Sequence, residues 1–184
     1  MGYNATFSYP KQGGIQTFSA ALAGRLDPAR VHTRTSLDQL DYRKREVVVG
    51  GERLPYAAVV ATLPLPELLK RMPGLPKEIE ARASQLRCTT LRYLDLATRT
   101  RPRADWHWVY VPERRFPFYR VGIYSNAVPG MAPPGGGSFY VELAERGPVT
   151  EDTVRASVRG LAEMGAIGSP GDVLFADPRE IDYA

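Results

Sequence analysis

Tyr9-Pro10-Lys11-Gln12-Gly13-Gly14-Ile15 decides how the rest of the chain is parsed. Two successive glycines make a turn, and the apolar residues after it, Ile15, Phe18, Leu22 and Leu26, recur at three- and four-residue steps. That period puts one apolar stripe on a helix, expected over about Gln16 to Arg25. Short strands should follow at Arg30–Ser36, Leu37–Asp41 and Glu46–Val49, with Gly50-Gly51 turning the chain into Arg53-Leu54. Ala57–Ala61 (AAVVA) is apolar throughout, as a strand covered on both faces would be.

Farther along, Pro66 suits the first turn of a short helix carrying Leu68, Leu69 and Met72, and Pro76 opens another with Ile79, Ala83 and Leu86. Thr90–Thr98 reads as a long strand, with Leu94 and Leu96 on one face and Tyr93, Asp95 and Ala97 on the other. Trp106–Val111, Phe118–Tyr124 and Ser138–Ala144 are rich in aromatic and β-branched residues and read as strands too. The Pro/Gly cluster Val128–Gly137 is a surface loop. Thr150 is a natural N-cap, Glu151 and Asp152 suit the positive end of a helix dipole, and Val154, Val158 and Leu161 form its stripe up to Gly165. Val173–Ala176 is a last strand. The sum is an α+β fold: a mixed, largely antiparallel sheet packed with helices, preceded by short strands and a helix.

Composition narrows the function. With 184 residues, 43% hydrophobic and 24% charged, the chain has the balance of an ordinary globular protein. No apolar run approaches the roughly 18–20 residues that span a bilayer, and no signal peptide is visible at the N-terminus. One cysteine, Cys88, excludes an internal disulfide and fits the cytoplasm; it reads as a small buried thiol. The net charge of +4 is spread among acids, Arg43-Lys44-Arg45 running directly into Glu46, so no nucleic-acid partner is expected.

Catalytic groups are scarce. His32 and His107 stand in no recognisable relation to Cys88 or to a serine, and no metal-ligand spacing occurs. Gly13-Gly14 before a helix could cradle a phosphate but reads more simply as a turn. A G-x-G-x-x-G fingerprint and a Walker-type loop are both missing from the sequence. From its residues alone this is an α+β domain with an aromatic-rich sheet and no catalytic apparatus.

The order of the segments carries a resemblance. Phe7–Leu26 (FSYPKQGGIQTFSAALAGRL), Val31–Asp41 (VHTRTSLDQLD), Leu54–Leu69 (LPYAAVVATLPLPELL), Phe118–Gly130 (FYRVGIYSNAVPG) and Ser138–Leu143 (SFYVEL) together are similar to the second part of the FAD-dependent amine oxidase and protoporphyrinogen oxidase family, including its UDP-galactopyranose-mutase-like branch. The resemblance implies that residues 1–66 are partial elements of the FAD domain and 67–184 a truncated substrate-binding domain. It also implies that Leu37 contacts the adenine end of FAD through its backbone, and that Thr62, Leu63 and Pro64 approach the flavin ring. The later sheet would wall the substrate pocket, with Tyr119 and Tyr124 as lining aromatics and Asn126 as a polar contact. Tyr119 and Tyr124 fall on opposite faces of a regular strand, so at most one lines the pocket unless the strand is bulged.

On this reading the chain is part of an FAD-dependent oxidoreductase acting on a small organic substrate, inactive alone and not retaining FAD. The monoamine oxidases place a lysine near the flavin on the strand equivalent to Thr90–Thr98; here no lysine follows Lys77, which argues against amine oxidation in the strict sense. The alternatives are a non-redox flavin mutase acting on a nucleotide sugar, with Arg120 and Arg92 as diphosphate partners, or a non-catalytic binding module. Self-association through open sheet edges is expected in any case.

Overall fold

The computed structural model describes residues 8–144 and 147–183. Two compact units emerge, divided between Thr89 and Thr90. Ser19–Thr89 belong to one; Thr90–Asp182, with the described residues up to Phe18, belong to the other. The architecture is α+β, built on two antiparallel sheets and five helices among the described residues.

The opening helix α1 (Gln16–Ala23) forms as the periodicity predicts, but its stripe is open: Phe18, Leu22 and Leu26 are all exposed. Arg30–Ser36 is not a strand. Asp27 instead caps a 3-10 turn at Pro28–Arg30 by accepting from Ala29 N, and the chain after it is irregular.

A three-stranded meander follows: β1 (Leu37–Asp41), β2 (Glu46–Val49) and β3 (Glu52–Pro55). The first turn is tied by Asp41 Oδ1, which accepts from Arg43 N at 3.1 Å and Lys44 N at 3.0 Å. The second is the Gly50-Gly51 turn, where φ values of 59° and 83° favour glycine and match the twist of a two-residue hairpin.

Ala57–Ala61 overturns its expectation: the run is irregular and exposed, Val60 to 93%. An apolar strand needs partners for its backbone and both faces. None of the described strands runs beside this one. After it come α2 (Leu65–Lys70) and α3 (Lys77–Ala83), started at Pro64 and Pro76. Arg71, just past α2, ties that helix to β1: its Nε donates to Leu37 O at 2.9 Å and its carbonyl accepts from Leu40 N at 2.8 Å.

In the other unit five strands run in the order β5-β6-β7-β4-β8: β4 (Thr89–Thr98), β5 (Trp108–Tyr110), β6 (Phe118–Ile123), β7 (Gly137–Leu143) and β8 (Val173–Tyr183). β5 is shorter than expected and β8 far longer. Thr90 bonds Asp182 at 2.7 Å and Arg92 bonds Glu180 at 2.8 Å, so β8 runs antiparallel to β4. Tyr124 is not a strand residue; it opens the short helix α4 (Tyr124–Ala127). Cys88, at the entry to β4, is exposed rather than buried.

One face of this sheet is the core. Leu94, Leu96, Val121, Ile123, Phe139, Val141 and Phe118 are each at most 2% exposed. The helix α5 (Glu151–Glu163) belongs to the same core through Leu161. Its most buried residues are smaller than the sequence stripe suggests: Thr153, Ser157 and Gly160 join Leu161, while Val154 and Val158 are only partly buried. Gly160 explains the choice, since a Cβ there would press on the Phe116 and Phe118 rings at 2.8–2.9 Å.

Thr150 caps α5 by accepting from Thr153 N at 3.2 Å. Thr150→Ala should therefore cost about 1 kcal/mol, read as a lowered urea midpoint with unchanged slope.

Candidate functional site

Opposite the core, the second face of the five-stranded sheet carries polar and aromatic side chains. Strand alternation brings Tyr93, Asp95 and Ala97 of β4 to it, as the sequence pattern predicts, next to Tyr140 and Glu142 of β7. Arg120 and Gly122 of β6 pair with Glu142 and Tyr140 respectively, and Tyr110 of β5 pairs with Arg120.

The register shifts between Phe118 and Arg120. This bulge puts Phe118 in the core while Tyr119 keeps company with Arg120 and Glu142 on the open side. Tyr124 reaches the same face from α4: its hydroxyl lies 3.3 Å from Asp95 Oδ1 and its ring 5.0 Å from that of Tyr140. Tyr119 and Tyr124 thus share one side, because the strand is bulged at the first and ended before the second.

Arg120 is the centre of the cluster. Its Nη2 lies 3.1 Å from Glu142 Oε1 and 3.4 Å from the Tyr140 hydroxyl. The guanidinium sits 5.8 Å from the Tyr110 ring centroid and 5.4 Å from that of Tyr140, within range of cation–π attraction. Burial works against its charge, but the Tyr140 hydroxyl and Glu142 outweigh that penalty and raise its pKa. Its Nε is buried and has no hydrogen-bond partner among the described residues. A guanidinium held at one edge, with a third of the side chain still exposed, can take an acceptor or anionic group on its open side.

Tyr119 is pushed up to about 12 by burial, then by its hydrogen bond to Glu142. Tyr124 is raised further, by burial and then by the Asp95 charge. Both values exceed the ~10 of an unfolded tyrosine, so the folded state holds protons that the unfolded state releases. Their contribution to stability is whole below pH ~10 and is lost as pH rises through ~12. Urea midpoints should fall on that climb, and Tyr119→Phe with Tyr124→Phe should flatten the slope.

Asn126 lies apart from this cluster. Its Nδ2 donates to Ala104 O at 2.8 Å and Trp106 O at 2.9 Å, and it borders a cleft of about 600 Å3 with Arg101, Pro102, Ser125 and Pro129. In the other unit, Leu37 opens β1 with its carbonyl already engaged by Arg71. Thr62 and Leu63 are exposed and Pro64 starts α2. With Val59 and Val60 also open, this stretch presents an exposed apolar surface, which is compatible with covering by a planar ring such as a flavin. No group of three or more potential metal ligands occurs among the described residues, and none of the helices there is long and apolar enough to cross a membrane.

Tyr110, Tyr140, Glu142 and Asp95 were not singled out by sequence. The signal for Tyr140 and Glu142 was there, in the alternation of SFYVEL, but strand partners decide which residues meet.

Solved structures share this fold. The chain is similar to reduced UDP-galactopyranose mutase (TM-score 0.83, 21% identity over 96% of this chain and 41% of that one). It is similar also to a Pyrococcus furiosus protein (TM-score 0.64, 13% identity, 82% and 38%) and to an oxidoreductase from Methanosarcina mazei (TM-score 0.58, 17% identity, 82% and 38%). It thus spans about two fifths of the length of these structures. The family model for flavin-containing amine oxidoreductases matches residues 1–174, and the chain belongs to that family.

Proposed function

We propose that this chain supplies the substrate-pocket wall of an FAD-dependent oxidoreductase, with most of the FAD-binding part lying outside these 184 residues. The observation that carries the proposal is Arg120: a guanidinium held between two tyrosines and Glu142, with a buried Nε left without a partner. Tyr119 and Tyr124 line the same face, offering ring surface to a small organic substrate. Asn126 contributes from its own cleft by holding the loop at residues 104–106 in place.

FAD, when bound in the intact protein, supplies the electron acceptor. Thr62, Leu63 and Pro64 border its ring and Leu37 its adenine end. The protein works in the cytoplasm, where its exposed Cys88 stays reduced. The test is purification of this chain beside the full-length protein. Full-length protein should carry stoichiometric flavin absorbance, and the 184-residue chain little or none. Stoichiometric flavin on the short chain sinks the proposal.

A second reading is favoured by the same Arg120 donor: a non-redox flavin mutase, in which Arg120 meets the diphosphate of a nucleotide sugar. UDP-galactose binding to full-length protein that disappears in Arg120→Ala would select it. Flavin reduction by an organic substrate without a nucleotide would select the oxidoreductase.

A further inference from the structure

Gly122 sits within β6, directly opposite Tyr140 of β7. A Cβ built on it would fall within the Tyr140 ring, against Cε1, Cζ and the hydroxyl. The ring therefore lies across the neighbouring strand, whereas strand side chains ordinarily stand away from the sheet. Two neighbours depend on that pose. The Arg120 guanidinium bonds the Tyr140 hydroxyl and lies over its ring, and Tyr124 packs on the same ring.

Glycine weakens a strand interior and commonly marks a place where another group approaches closely. An aromatic ring laid over a strand glycine offsets part of that weakness. Such cover does not require a hydroxyl joined to an arginine, nor a second tyrosine against it. A side chain at position 122 would lift the ring, fill the trough beside it and draw the hydroxyl away from Arg120.

We propose that Gly122 is a specificity-determining position: its missing side chain lets Tyr140 lie flat, which fixes Arg120 and sets the depth open to a planar ligand bearing an anionic group. The assignment rests on reading this face as the substrate side. Gly122 is a positioning residue, acting through Tyr140.

The test uses full-length protein labelled at glycine and arginine, with UDP as a probe that joins a planar base to an anionic tail. In the parent protein the Gly122 α-protons should show a ring-current displacement that Tyr140→Leu abolishes. Gly122→Ala should move the Arg120 Nε–H resonance and weaken UDP binding at least ~10-fold, about 1.4 kcal/mol. Gly130→Ala, where an added Cβ meets nothing within 4 Å, should do neither. Undisplaced α-protons in the parent, or an unmoved Arg120 resonance in Gly122→Ala, overturn the role of Gly122 while leaving the substrate face standing. UDP that fails to bind the parent overturns the ligand class. UDP binding that survives Arg120→Ala sinks the reading of the face itself.

Discussion

Phe118→Ala should destabilise the unit that holds the five-stranded sheet by about 3–5 kcal/mol. The side chain is 1% exposed, and its ring stacks on Phe116 with centroids 5.1 Å apart and planes 10° from parallel. Gly160 of α5 lies against both rings, so no flexible side chain on that side can swing in to fill the hole. The sheet beneath is tied by its ladder and collapses little. The cost therefore combines lost transfer energy with a surviving cavity. Urea unfolding followed by circular dichroism measures it; a loss under about 1 kcal/mol, the size of an average substitution, would show that the stack is not the packing centre.

Arg120→Ala should lower turnover of the full-length protein on the order of a hundredfold, the worth of a charge-assisted hydrogen bond of about 3 kcal/mol. The reasoning starts from the partners left behind. Glu142 is 6% exposed and would face Tyr119 and Tyr140 with no cation beside it. Removing one member of a fully buried pair costs about 3–5 kcal/mol, but Arg120 is a third exposed, so solvent reduces the stability loss to about 1–2 kcal/mol. Function should suffer more than folding. Arg120→Lys should recover the stability and little of the turnover, because an ammonium cannot reproduce the planar fork that lies between two rings. Steady-state kinetics beside thermal melts read both effects. Full activity in Arg120→Lys would mean that charge alone matters there.

Much of the architecture was legible because local pattern and tertiary partner agreed. Leu94 and Leu96 alternate with Tyr93 and Asp95, and the two sets do separate to opposite faces. Thr150 carries its own cap. The failures have physical causes. Ala57–Ala61 has the composition of a covered strand, yet composition says nothing of whether neighbouring strands exist to pair with it. Val173–Ala176 is only the start of β8, which runs on through Pro178; proline removes a ladder donor, and an edge strand with one side unpaired accommodates that.

The site was half legible for a related reason. Tyr119, Arg120 and Tyr124 lie in one stretch of sequence and could be read together. Glu142 and Tyr140 join them only through the pairing Arg120↔Glu142 and Gly122↔Tyr140. The Phe118/Arg120 bulge leaves no trace in residue order, so the shared side of the two tyrosines could be named only as a condition. The general habit of cysteine is burial, which gives no information about one position at a strand entry, and Cys88 is exposed.

The irregularity in β6 has a genetic corollary. Were the codon for Tyr119 deleted, the pleat would become regular again, with Phe118 still pointing inward and Arg120 still outward. Loss of Phe118 would instead seat Tyr119 in the core, and loss of Arg120 would put Tyr119 in place of the guanidinium; only at 119 do both neighbours keep their faces. The tyrosine is thus a detachable fitting on an otherwise unaltered scaffold.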